Sequence, residues 1–163
     1  ALEQDLSQVD TYVKSGNLMV DAVLNSKLSL ARQKDIALDC AAELPEQLSV
    51  SDVDLCVILG NLLDNAVEAC EKIPPEGRFL RVYCAVVKHQ LYLSVQNSAK
   101  EELDFDERNY ISKKRGNHGL GMKRVKVLVD QYQGFLNLQN QPGIFAAEVL
   151  LPLTSPQSPC AHP

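Results

Sequence analysis

The chain has 163 residues, carries a net charge of -5 and is 45% hydrophobic. These values fit one globular domain with a sizeable core and argue against disorder. The acidic balance, the absence of tryptophan and the lack of a basic, aromatic-studded patch exclude nucleic-acid binding as its main task.

No apolar run reaches the roughly 18 residues needed to cross a membrane, and no leader sequence is visible. A first residue of Ala1 rather than methionine points to a fragment of a longer protein. Cysteines stand at positions 40, 56, 70, 84 and 160 with no Cys-x-x-Cys. The first four lie in apolar contexts and read as small buried hydrophobes. An odd count without metal spacing fits a reducing compartment. Cys160 and His162 share a proline-rich tail and make a poor metal site.

At the start, Leu2, Leu6, Val9 and Val13 follow four-three-four spacing, a heptad seam over residues 1–14. They read as the end of a dimerisation helix or, equally, as an ordinary amphipathic helix. Ser15-Gly16-Asn17 breaks the pattern, with Asn17 able to cap the next helix, 18–34. An extended segment, 36–44, stops at Pro45. Ser51 then caps a helix predicted to run from 52 to 72, with Asp52 and Asp54 in its first turn. Strands are predicted at 79–87 and 91–97 around a tight turn at Lys88-His89-Gln90. A charged loop, 99–118, is long enough to be functional. A helix over 120–132 ends at Gly134, strands over 135–139 and 144–151 flank Pro142-Gly143, and a disordered tail follows. This order implies an α+β fold with helices covering one face of a mixed, mostly antiparallel sheet.

On the 52–72 helix, Leu55, Ile58, Leu59, Leu62, Ala66, Ala69 and Ile73 make the apolar side. Asp54, Asn61, Asp64, Asn65, Glu68 and Lys72 make the opposite stripe. Asn61 and Asn65 stand one turn apart. Asparagine is a poor helix former, so two copies in mid-helix invite an explanation. One is magnesium and phosphate, because a neutral amide oxygen joins the metal's shell without repelling phosphates. The other is a solvated helix face.

Some fifty residues on, Asn117-His118-Gly119-Leu120-Gly121-Met122 opens another helix. Glycines there let a ligand come close to the backbone, and free amides at a helix start attract phosphate. His118, Lys123 and Arg124 add positive charge. The plainer reading is a flexible loop-to-helix transition, with Lys123, Arg124 and Lys126 on a solvated face.

Taken together, Ile58-Leu59-Gly60-Asn61-Leu62-Leu63-Asp64-Asn65-Ala66-Val67-Glu68-Ala69 and Gly119-Leu120-Gly121-Met122 resemble the N box and second glycine box of the GHKL ATP-binding superfamily. The wording looks most like the catalytic domain of peptide-sensing (quorum-sensing type) sensor histidine kinases, over residues 15–152. The resemblance implies a Bergerat-type α/β sandwich over 16–152, preceded by the end of a dimerisation helix (1–15) and followed by a tail (153–163). It implies that ATP lies between the asparagine helix and the glycine turn, with Asn65 on Mg²⁺ and Asn61 at the phosphates. His118, Gly119, Leu120, Gly121 and Lys123 would line the nucleotide site. Residues 99–118 would be a lid. Asn97 would take the place of the adenine-binding aspartate of the first glycine box. Read without the resemblance, Asn97 is a strand-end residue starting a turn.

Three departures qualify this. No Asp-x-Gly-x-Gly follows the strand, and a neutral Asn97 implies weak ATP binding. Asn61 stands where hydrolysing members carry a water-activating glutamate, which favours transfer over hydrolysis. Glu68 replaces the usual basic residue, as it also does in the peptide-sensing branch. His89, His118 and His162 are not at the start of a helix beside an acid. The phosphoacceptor histidine is therefore expected upstream, on a dimerisation hairpin of the same protein. The implied whole is a homodimeric, membrane-anchored bacterial receptor whose catalytic domain is cytoplasmic and serves a response regulator. The competing readings are a non-catalytic nucleotide- or partner-binding module of this fold and an anti-sigma-type serine kinase.

Overall fold

The computed structural model describes residues 12–101 and 117–154, with the backbone alone at 117–119. In chain order the elements are α1 (Leu18–Gln33), β1 (Ala37–Glu43), α2 (Asp52–Glu71), a 3-10 turn (Pro75–Gly77), β2 (Phe79–Val87), β3 (Gln90–Ser98), α3 (Asn117–Gln131), β4 (Phe135–Gln141) and β5 (Ile144–Pro152). The strands form one sheet in the order β1-β2-β3-β5-β4. β1 runs parallel to β2, and the other pairs are antiparallel.

Period-two alternation gives this sheet one apolar face. Val82, Val95, Ala147 and Leu138 share a cross-strand row, and Cys84, Leu93, Val149 and Leu136 form the next. All eight are buried. Against them pack Leu24 and Leu28 of α1, Ile58, Leu59 and Leu62 of α2, and Met122, Val125 and Val129 of α3. On the other face Tyr83, Val87 and Phe135 are exposed. The result is a two-layer α+β sandwich, as the element order implies.

Local chemistry fixes the helix ends. Asn17 accepts from the Val20 amide at 3.1 Å and Ser51 from the Asp54 amide at 3.2 Å, satisfying amides that have no partner inside the helix. At the far ends Arg78 donates from Nε to the Ile73 carbonyl at 3.0 Å, and from its guanidinium nitrogens to the Lys34 carbonyl at 2.8 Å and the Glu71 carbonyl at 3.4 Å. One cation thus meets carbonyls from the C-terminal ends of both α1 and α2, where the helix dipoles favour it. The β2–β3 turn places Lys88 and His89 at φ of 51° and 63°, the left-handed pair that matches strand twist in a two-residue hairpin.

Several expectations change. Residues 12–15 are not helical, so the helix expected over 1–14 does not include Val13; instead the main chain there bonds to side chains of α1. The rest of that segment, like most of the tail, lies outside the described residues. The glycine helix begins at Asn117 rather than Leu120. Gly121 lies on the same buried side as Met122, Val125 and Val129, so the helical phase carries one turn further back. Of the cysteines, Cys70 and Cys84 are buried but Cys40 and Cys56 only partly so. Burial pushes the Cys84 thiol up to about 12 and that of Cys40 to about 11, which keeps both protonated and unreactive.

Candidate functional site

α2 lies between its two neighbours, and its polar residues divide accordingly. At 100° per residue, Asp54, Asn61 and Asn65 follow one stripe, while Gly60 and Asp64 turn the other way. The first stripe meets α3. The Tyr132 hydroxyl donates to Asp54 Oδ2 at 2.5 Å and accepts from the Ser51 amide at 3.2 Å, pinning the end of α3 to the start of α2. At the other end of α3, Gly121 abuts Asn61. A Cβ built on Gly121 would lie 2.6 Å from Asn61 Oδ1 and 3.2 Å from its Cγ. The second stripe meets α1: Lys27 Nζ lies 2.8 Å from Asp64 Oδ1.

Asn61 is held on two sides. Its Nδ2 donates to the Val57 carbonyl at 2.6 Å, while its oxygen faces Gly121. A groove of about 420 Å³, lined by Met19, Lys27, Val57, Gly60 and Asp64 among others, reaches Asn61 from the α1 side. Asn65 is not on a solvated face, as the helical wheel implies; it is only 7% exposed. Leu63 and Cys70 are also buried, whereas Ala69 and Ile73 are partly exposed. The wheel centres the apolar side on the sheet alone, yet α1 and α3 bury further angles of the helix.

Asn97 is 1% exposed and sits at the end of β3. Its row partners on the helix-facing side are Leu80 and Phe145. Its Nδ2 donates to the Ser98 carbonyl at 2.9 Å. The Cys70 thiol lies 3.3 Å from the Phe79 carbonyl and 3.7 Å from that of Ser98, which seats the last turn of α2 on the end of β3. The second half of α2 therefore has the end of β3 beneath it and the start of α3 beside it. Gly121 thus meets Asn61 directly, and Asn97 lies at the sheet end that Cys70 contacts through the Ser98 carbonyl. His118 and Gly119 fall in the first turn of α3 by their backbone. Leu120 is 50% exposed and Lys123 is exposed. Lys126 pairs with Asp130 at 3.1 Å, the solvated-face alternative for that residue. Most of the expected lid lies outside the described residues. Sequence reasoning gives Tyr132 no role, because a tyrosine near a helix end carries no signal for the carboxylate it will meet.

Among the described residues no cluster of three or more His, Cys, Asp or Glu side chains could hold a metal alone, and no helix is long and apolar enough to span a membrane. Asn61 and Gly121 are in direct contact, and the last turn of α2 sits on the end of β3. A GHKL domain model matches residues 50–152. The chain belongs to the GHKL family.

Its relatives include sensor protein CitS of Bacillus subtilis, 33% identical over 134 residues covering 75% of this chain and 23% of CitS. Sensor protein EvgS of Escherichia coli is 29% identical over 136 residues covering 77% of this chain and 11% of EvgS. The chain thus spans at most about a quarter of the length of these relatives. Its fold is that of the catalytic domain of histidine kinase ThkA, with a TM-score of 0.66 at 20% identity over 84% of this chain and 93% of that one. Acinetobacter baumannii histidine kinase AdeS gives a TM-score of 0.63 at 16% identity, over 85% of this chain and 64% of that one.

Proposed function

We propose that this domain binds Mg·ATP between α2 and the start of α3 and passes the γ-phosphoryl to a histidine on a dimerisation hairpin of the same protein. The observation that supports this reading is the contact of Gly121 with Asn61: the two segments that would hold the nucleotide lie side by side. Its family supports it, as does the naming of CitS and EvgS as sensor proteins. A response regulator and a peptide signal would complete the pathway, with the domain on the cytoplasmic side of a membrane-anchored homodimer.

Each residue has a physical task in this reading. Asn97 has its nitrogen committed to Ser98, which leaves the amide oxygen to accept from the adenine amino group. The first-turn amides of α3, from His118 to Leu120, face phosphate with the positive end of the helix dipole, and Lys123 adds charge outside. The donor set suits magnesium only in part: Asn65 would contribute one neutral oxygen, and among the described residues no acidic cluster could hold the ion alone. That matches an ion carried mainly by phosphates and water. When bound, the ion neutralises charge on the transferred group. Asn61, fixed between Val57 and Gly121, holds the cleft's width and has no basic atom to activate water. Transfer to a positioned acceptor is then favoured over hydrolysis.

The test is γ-labelled Mg·ATP given to a longer chain that includes the upstream hairpin. Acid-labile label on the protein is expected. Acid-stable label would indicate a serine kinase, and binding without label a nucleotide-sensing module. Either outcome would overturn the reading.

A further inference from the structure

Residues 13–17 are stitched to the domain along two sides. Asn25, in the middle of α1, takes Val13 much as a neighbouring strand would. The Val13 amide donates to its Oδ1 at 2.7 Å, and its Nδ2 donates to the Val13 carbonyl at 3.1 Å. One helical turn back, Asp21 Oδ1 accepts from the Ser15 amide at 2.8 Å. On the other side the Leu44 amide donates to the Ser15 carbonyl at 2.8 Å, and Asn17 Nδ2 donates to the carbonyls of Pro45 and Glu46 at 3.4 and 3.2 Å. Ser15 and Asn17 are buried. Gly16 has φ of +106°, and a Cβ there would lie 2.6 Å from the Leu44 carbonyl oxygen, so both backbone conformation and space require glycine.

A swivelling tether needs none of these bonds. Ordering a backbone costs entropy, and asparagine in mid-helix costs propensity. We infer that residues 13–17 are a rigid joint in which Asn25 and Asp21 fix the direction of the chain upstream of Val13 and carry its displacement into α1. Through Met19, Val23 and Lys27, α1 also lines the groove that reaches Asn61. In the kinase reading, on which this consequence rests, the joint delivers upstream motion to the nucleotide cleft.

Lys14 is exposed at the centre of the joint and offers a trypsin site whose cleavage requires local opening. Limited proteolysis with peptide mapping should show slow cutting after Lys14 in the native chain. Asn25→Ala and Asp21→Ala should each accelerate it by about tenfold or more. Asn25→Asp, which keeps the acceptor and loses the donor, should fall between. Circular-dichroism melting of each variant confirms that the domain is folded. A native chain cut as fast as Asn25→Ala overturns the joint. In the longer chain with its hairpin, Asn25→Ala should keep Mg·ATP affinity yet lose the response of autophosphorylation to the upstream signal. A retained response overturns the coupling. Failure of both proteins to bind Mg·ATP would sink the kinase reading and the coupling with it, while the trypsin rates still decide the joint.

Discussion

Replacing Gly121 with alanine should weaken nucleotide binding while leaving the domain folded. The new methyl would lie 2.6 Å from Asn61 Oδ1, closer than any ordinary contact. Asn61 has little room to give, because its nitrogen is bonded to the Val57 carbonyl at 2.6 Å. Relief requires breaking that bond, worth about 1 kcal/mol, or pushing α3 outward as overpacked cores do, at about 1–3 kcal/mol. Alanine returns about 1 kcal/mol of helix propensity relative to glycine. Net destabilisation should therefore be about 0–2 kcal/mol by urea titration, small against the 5–15 kcal/mol typical of a domain. The cleft, however, is displaced where a phosphate would sit, and calorimetry should show at least about a tenfold loss of Mg·ATP affinity. Adding Asn61→Ser in the same chain removes the clash and should restore part of the binding. Native affinity in Gly121→Ala would mean that this contact does not shape a nucleotide site.

The second large effect is expected at Asn65. Asn65→Ala should abolish magnesium-dependent ATP binding in calorimetry while the melting curve stays cooperative. Asn65 is 7% exposed, so truncation removes a buried amide at a cost of about 1–3 kcal/mol, which a folded domain of this size survives. The binding loss is larger because, among the described residues, no acidic cluster can replace the lost oxygen. Asn65→Asp restores an oxygen but sets a negative charge beside the phosphates, so it should bind better than alanine and worse than asparagine. Equal binding by the native chain and Asn65→Ala, with or without magnesium, would remove the metal role assigned to this residue.

Much of this geometry is legible before any coordinates. The caps at Asn17 and Ser51, the alternation along β3 and the apolar period of α2 each come from local rules that read directly from residue order. So does the placement of all helices on one face. What residue order does not carry is which neighbour covers a polar stripe. Asn65 and Leu63 are buried because α1 and α3 flank α2, and that depends on tertiary packing rather than on the period of α2 itself. The early start of α3 has a similar origin: two glycines weaken helix propensity, but Gly121 gains a tight seat on Asn61. The joint at Val13 escapes sequence reasoning for another reason. Residue order marks Asp21 and Asn25 as polar positions on α1 but does not show that the chain before them returns along their side.

In the kinase reading, Asn65 and the first turn of α3 border one nucleotide. The most direct measurement is a Mg·ATP titration followed by heteronuclear NMR on the native chain. The side-chain amide of Asn65 and the backbone amides of Gly119, Leu120 and Gly121 should shift together and saturate with one dissociation constant, while Lys88 and His89 in the distant hairpin stay still. Shifts gathered instead on the open sheet face around Tyr83 and Tyr92, with Asn65 and Gly121 unmoved, would contradict the account.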